Sequence, residues 1–258
     1  MSTLTGKVAV ISGSSLGLGA AIARELFSRG ASVVINYPFP SQKINADNVL
    51  RGLHGTARSI VVEADLSTSE GPQLLADAAA KAFGKIDILV NSAGINRPLA
   101  LDDPDSAAVE KVWHDVMSLN ARGTFFLTRA VLNHLTPTNS RIVNIGSAVS
   151  HSPAPETSIY AGSKSLVESY TKFWATELPR RYGCTVNGVA PGPTGTDTFY
   201  AAPKEVRESL QSVINATPVG ARVGTPEEVA WLVAELCEER AGWINGAYIP
   251  ITGGSIMF

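Results

Sequence analysis

A chain of 258 residues with 45% hydrophobic content and 23 glycines can bury a substantial core, and its length suits one α/β domain better than two. Its 21 basic and 23 acidic residues give a formal net charge of −2 with no long block of either sign, which speaks against a nucleic-acid or membrane-surface partner and for a small molecule. Cys184 and Cys237 stand far apart in no CxxC or Cys/His cluster, so they read as buried apolar residues and not as a disulfide or a structural zinc site.

The first ten residues, Met1 to Val10, hold no long apolar segment with a cleavage site, and no later stretch reaches the roughly 20 apolar residues of a membrane span. A cytosolic protein is expected. Short β-branched runs at 7–12, 32–36, 59–63, 86–91, 141–147, 185–190 and 247–251 predict strands. Between them, 18–29, 73–83, 109–135, 158–182 and 226–238 carry apolar residues at helical spacing, with polar starts and glycine nearby as stops. The segment 41–53 is a less regular helical pattern. Strict strand–helix alternation predicts a parallel sheet with right-handed crossovers and helices on both faces. The expected fold is therefore a single doubly wound, Rossmann-type α/β domain over 1–258, with ligands outside the carboxyl ends of the strands. A stretch rich in Gly, Pro and Thr, 192–218, is expected to cover the substrate.

The first strand runs into Ser12-Gly13-Ser14-Ser15-Leu16-Gly17-Leu18-Gly19, with a helix beginning near Gly17. Glycines here permit a tight turn and let backbone N–H groups at a helix N-terminus face a pyrophosphate, although such a turn also serves simply to join a strand to a helix. Small polar punctuation follows three later strands: Asp65-Leu66, Asn91-Ser92-Ala93-Gly94 and Pro191-Gly192. Each alone is an ordinary turn or cap. Tyr160 and Lys164 lie four positions apart, hence on one helix face. A phenol is a poor base at neutral pH, and a fixed cation beside it favours its ionised form, so the pair suits proton exchange with an alkoxide or alcohol. An isolated YxxxK is more often a surface pair. Ser147, thirteen positions before Tyr160, is expected to end the fifth strand, where its hydroxyl either binds a substrate oxygen or caps a turn.

Taken together and in order, these motifs resemble the short-chain dehydrogenase/reductase family over nearly the whole chain. The resemblance implies that Ser12–Gly19, including Gly13, Ser15, Leu16, Gly17, Leu18 and Gly19, stands for the TGxxxGxG cofactor loop. By the same resemblance Asp65 and Leu66 face the adenine, Asn91, Ala93 and Gly94 stand in the NNAG segment, and Pro191, Gly192 and Thr194 lie on the nicotinamide side. Asn120, Ser147, Tyr160 and Lys164 match the catalytic tetrad, Lys164 also holding the nicotinamide ribose and Asn120 supporting a water-linked relay. Ser12 replaces the usual Thr and Ser92 the second Asn of NNAG, and neither change removes a catalytic group.

The implied activity is NADPH-dependent reduction of a carbonyl, with Tyr160 as proton donor and no metal, on a substrate of the cyclic or polyketide-derived ketone class. NAD-linked alcohol oxidation, or a non-catalytic cofactor-binding protein of the same fold, are the alternatives. NADP(H) is favoured over NAD(H) because the second strand ends on neutral Asn36 and Tyr37, where NAD-binding relatives place a carboxylate that would repel a 2′-phosphate. The family's usual arginines are missing at Leu16 and Tyr37, so Ser41 and Lys43 are offered as phosphate contacts, while Asn36 is equally read as a turn cap. His54, His114 and His134 fit no metal-ligand pattern, and His151 reads as structural although it stands near Ser147. Trp113, Trp174, Trp231 and Trp243 read as packing or interface residues, and Arg97, Phe199 and Tyr200 as substrate contacts. A homotetramer is expected, with a dimer as fallback, from the resemblance and the apolar segment 244–258.

Overall fold

The computed structural model describes residues 3–258, so Met1 and Ser2 of the expected domain and of the Met1–Val10 segment lie outside the described residues. Seven strands form one parallel sheet: β1 (Val8–Ile11), β2 (Ser32–Tyr37), β3 (Ile60–Glu63), β4 (Ile88–Asn91), β5 (Ser140–Ile145), β6 (Cys184–Pro191) and β7 (Tyr248–Ile251). Their order is β3-β2-β1-β4-β5-β6-β7. The central strands are buried throughout, because both faces of a parallel sheet are covered by crossover helices; hence β1 reads as an apolar run without alternation, while the buried Ser140, Arg141 and Asn144 of β5 are hydrogen-bonded. Successive side chains still divide between the faces: Ala9 and Ile11 join one core cluster, and Val10 joins the other.

The helices are α1 (Gly17–Ser28), α2 (Lys43–Arg51), α3 (Gly71–Phe83), α4 (Ser106–Val116), α5 (Thr124–Leu132), α6 (Ser158–Glu177), α7 (Pro179–Tyr182), α8 (Asp197–Ala201), α9 (Lys204–Ser209), α10 (Gln211–Asn215) and α11 (Pro226–Cys237). Along α1, Ile22, Ala23, Leu26 and Phe27 face inward and the helix packs on α11. Thr225 and Glu228 start α11 with a reciprocal capping box, and Pro226 takes the first turn, where its missing N–H costs nothing. The sheet runs outward from β1 to β3 and then crosses back to β4, so the carboxyl ends of β1 and β4 meet at a topological switch point.

Three expectations need correction. The predicted helix 109–135 is α4, a π-helical segment Met117–Gly123 and α5; it starts earlier because Asp105 accepts from the Ala107 and Ala108 amides as an N-cap. The predicted helix 158–182 stops at Glu177, since Pro179 has no N–H to continue the ladder, and the short α7 follows, closed by left-handed Gly183. Finally, β5 ends at Ile145, two residues before Ser147, whose hydroxyl caps the 3-10 turn Ala148–Ser150. The weaker pattern at 41–53 is a 3-10 turn, Pro40–Gln42, followed by α2, and 192–218 contains α8 to α10. Cys184 and Cys237 are free and buried, and burial pushes their thiols up to about 11 and about 12. Among the described residues no helix is long and apolar enough to cross a membrane.

Candidate active site

At the switch point the turn after β1 is built by a buried hydrogen-bond lattice. Gly13 sits at φ +62°, and a Cβ there would stand 2.9 Å from Ala93 Cα, so the left-handed conformation and the close approach both demand glycine. Ser12 Oγ accepts from the Ser92 and Ala93 amides at 2.9 and 3.0 Å, stitching the β1 turn to the segment after β4. Gly13 N–H donates to Asn36 Oδ1 at 2.9 Å, and Asn36 Nδ2 donates to Ala64 O at 3.0 Å. Asn36 is 2% exposed, so its amide serves the turn.

Leu16 precedes α1 and offers no side-chain cap. The first-turn amides of α1, at Gly17, Leu18 and Gly19, are therefore left for an external anion. Ser15 Oγ donates to Gln42 Oε1 at 3.1 Å, joining the turn to the segment before α2. Tyr37 is buried, and burial, then a hydrogen bond with Glu63, pushes its phenol up. Lys43, offered with Ser41 as a phosphate contact, instead donates to both Asp47 oxygens, at 2.9 and 2.7 Å, and Ser41 is exposed.

Asp65 follows β3 by two residues, and its Oδ1 accepts from Ser67 N and Ser67 Oγ; Leu66 beside it is buried. Asn91 donates to Thr128 Oγ1 and Asn144 Oδ1, while its own Oδ1 is buried with no partner among the described residues. Gly94 lies over α6: a Cβ there would be 3.2 Å from Lys164 Nζ. On the far side, Pro191 ends β6, Gly192 N–H donates to Ile251 O, and Thr194 Oγ1 donates to Gly192 O at 2.9 Å. Thr196, just before α8, packs where a Gly17 side chain would project.

Tyr160 and Lys164 sit one turn apart on α6, with the ammonium 5.9 Å from the phenol ring centre. Lys164 is 4% exposed and donates to Ile145 O at 2.8 Å; burial brings its pKa down to about 8. Desolvation pushes the Tyr160 phenol up, and a hydrogen bond with Ser147 pulls it back. Burial governs the phenol, and the hydrogen bond with Ser147 opposes burial. Asn120, fully buried at the centre of the π-helical segment, donates to Ile95 O and Ser163 Oγ and accepts from Ile95 N.

Sequence reasoning passed over Glu168 and Tyr248. Glu168 lies two turns beyond Tyr160 on the same α6 face and binds His151 Nε2 at 2.7 Å and Lys172 Nζ at 2.7 Å, which hold its carboxyl below its usual value against the cost of burial. The helical spacing from Lys164 was its available signal. Tyr248 reaches Ser147 from 101 residues away, a contact with no local signal. The His151 ring stacks on Phe258 at 3.8 Å and stands 6.2 Å from Tyr248. Of the expected substrate contacts, Arg97 pairs with Asp115 at 3.5 Å, and Phe199 and Tyr200 pack edge to face on the covering segment. Trp174 is buried, whereas Trp113, Trp231 and Trp243 are exposed.

Fold and site together define a dinucleotide-binding oxidoreductase. The model of a family described as enoyl-(acyl carrier protein) reductase matches residues 13–255. A short-chain dehydrogenase/reductase, FrzI of a Cladobotryum species, is 40% identical over 98% of this chain and 97% of its own. Hydroxynaphthalene reductase arp2 of Aspergillus fumigatus is 30% identical over 98% of this chain and 96% of its own. A short-chain dehydrogenase from Burkholderia cenocepacia, solved in complex with NADP, superimposes with a TM-score of 0.88 at 33% identity, covering 98% of this chain and 99% of that one. The chain belongs to the short-chain dehydrogenase/reductase family, and is thus an NAD(P)-dependent oxidoreductase.

Proposed function

We propose that this enzyme reduces a ketone, with NADPH as reductant and Tyr160 as proton donor. The observation that carries the reading is the cluster of Tyr160, hydrogen-bonded to Ser147, with the buried Lys164 ammonium on the same helix face. The residues present fit a dinucleotide: the uncapped α1 N-terminus for the pyrophosphate, Asp65 and Leu66 for the adenine, Asn91, Ala93 and Gly94 along its middle, and Pro191, Gly192 and Thr194 at the nicotinamide end. Its bound, reduced ring supplies the hydride. Ser147 orients the carbonyl oxygen, and the Tyr160 phenol, which burial pushes up, gives that oxygen its proton as negative charge develops. Lys164, its ammonium 5.9 Å from the phenol ring centre, would favour the transient phenolate and would hold the ribose, while Asn120 fixes the loop carrying Ile95.

Two further parts belong to the reading. NADPH preference is supported by the NADP bound to the Burkholderia relative. A cyclic or polyketide-derived ketone is supported by the aromatic wall of His151, Tyr248 and Phe258 beside Ser147, and by the name of the Aspergillus relative. The test is kcat/KM for NADPH and NADH across cyclic, aromatic-fused and linear ketones. Turnover of fused cyclic ketones with NADPH is expected; a preference for NADH, or no ketone turned over, overturns the corresponding part. The same reading makes the enzyme a homotetramer, or at least a dimer, since Phe125, Phe126, Phe173 and Trp243 expose large apolar surfaces.

A further inference from the structure

Resting on that reading of the site, we infer that Tyr248 is a positioning residue whose hydroxyl holds the Ser147 backbone in register with Tyr160. The strand ladder explains why one is needed. Gly146 N–H donates to Val189 O at 2.8 Å, the last bond that β5 makes to β6. The next amide, that of Ser147, has left the sheet in an extended conformation and has no strand to pair with. Tyr248 Oη takes that place: it accepts from Ser147 N–H at 3.0 Å and donates to Ser147 O at 3.4 Å.

A phenol reaches this position only because the sequence clears a path for it. Tyr248 is paired with Gly188 in the β6–β7 register, and its ring passes over Gly188 and Gly146 in turn. A Cβ at Gly146 would overlap the Tyr248 hydroxyl, and one at Gly188 would overlap the ring. The stacked pair of His151 and Phe258 lies near the ring, at 6.2 and 5.8 Å. Tyr248 is thus anchored in a sheet strand at one end and bonded to the Ser147 backbone at the other. It transmits the fixed height of the sheet to Ser147, which bonds Tyr160. Catalytic geometry is sensitive to displacements of well under an ångström to about an ångström, so a single hydroxyl at this joint has leverage on turnover.

Tyr248→Phe keeps the ring that fills the glycine path and deletes only the hydroxyl. It is expected to lower kcat for ketone reduction roughly tenfold while leaving the NADPH Kd and KM unchanged. In the reverse oxidation of the product alcohol, the pH limb set by Tyr160 should move upward, because a displaced Ser147 no longer pulls the phenol down. Adding Tyr248→Phe to Ser147→Ala should cost little beyond Ser147→Ala alone. Wild-type kcat and pH profile in Tyr248→Phe, or losses that multiply in the double variant, overturn the inference. If Tyr248→Phe does not fold, Gly146→Ala decides: pushing the hydroxyl aside should give the same loss and pH shift, and a wild-type result overturns the inference. Tyr160→Phe run in parallel separates the two layers, since its loss with an unaffected Tyr248→Phe leaves the site reading standing, whereas an active Tyr160→Phe removes that reading itself.

Discussion

Asn120 and Ile95 are joined by a reciprocal pair of hydrogen bonds, Asn120 Oδ1 accepting from Ile95 N–H and Asn120 Nδ2 donating to Ile95 O, both at 2.9 Å. The pair ties the π-helical segment to the loop after β4, and a third bond, to Ser163 Oγ, ties it to α6. Asn120→Ala leaves two partly buried backbone groups of Ile95 without their partner, at up to about 1–3 kcal/mol each. Urea unfolding should show a loss of that order, and kcat should fall with it; an unchanged midpoint would mean that water replaces the amide.

Tyr160→Phe should preserve fold and NADPH affinity while lowering turnover at least about a hundredfold, the low end for loss of a general acid. Steady-state rates and NADPH fluorescence titration check it, and wild-type turnover would remove the proton-donor role.

Lys164 makes stability depend on alkaline pH. Its folded pKa of about 8 lies below the ordinary value of 10.5 because the ammonium is buried. Below about pH 8 both states carry the proton and the cost of burying the charge is fully present; between about 8 and 10.5 the unfolded chain binds more protons, so the wild type gains stability as pH rises. Lys164→Met carries no such proton. Its stability relative to wild type should therefore decline from pH 7 to pH 10 by on the order of 2 kcal/mol. Urea unfolding at the two pH values tests this, and a parallel dependence in both proteins contradicts it. The same variant should lose turnover and NADPH affinity together.

Asn36→Asp retains an acceptor for Gly13 N–H but turns a second carboxylate oxygen toward the Ala64 and Val62 carbonyls, which now receive a donor. Loss of that donor in a buried site predicts a destabilisation of about 1–3 kcal/mol. NADPH affinity should fall along with it, while Lys43→Ala, which removes an exposed pair with Asp47, should change kcat/KM for NADPH little. A stable Asn36→Asp protein that has switched to NADH would instead make Asn36 the reader of the phosphate.

Sedimentation velocity at micromolar concentration should show a tetramer, with a dimer as the smaller acceptable assembly. Monomer alone would exclude the proposed assembly and leave Phe125, Phe126, Phe173 and Trp243 exposed in solution.

By itself the sequence determined the parallel, doubly wound layout, because buried β-branched runs and helical periodicity are local properties of the chain. It also singled out Gly13, Tyr160 and Lys164, since a left-handed turn and a one-turn helical spacing are written in neighbouring residues. Other features depended on which distant groups meet. Asn36 reads as the strand end facing a cofactor until its amide is found between Gly13 and Ala64. The π-helical segment at Asn120 interrupts an unbroken helical pattern, and bonds from its side chain to Ile95 hold it against another loop. Tyr248 is one more strand residue in the sequence; only the sheet, by setting β5, β6 and β7 side by side, brings its hydroxyl to Ser147 through the space left by Gly146 and Gly188. Local pattern fixes what each segment becomes, while buried polar groups take their partners from whatever the packed chain places beside them.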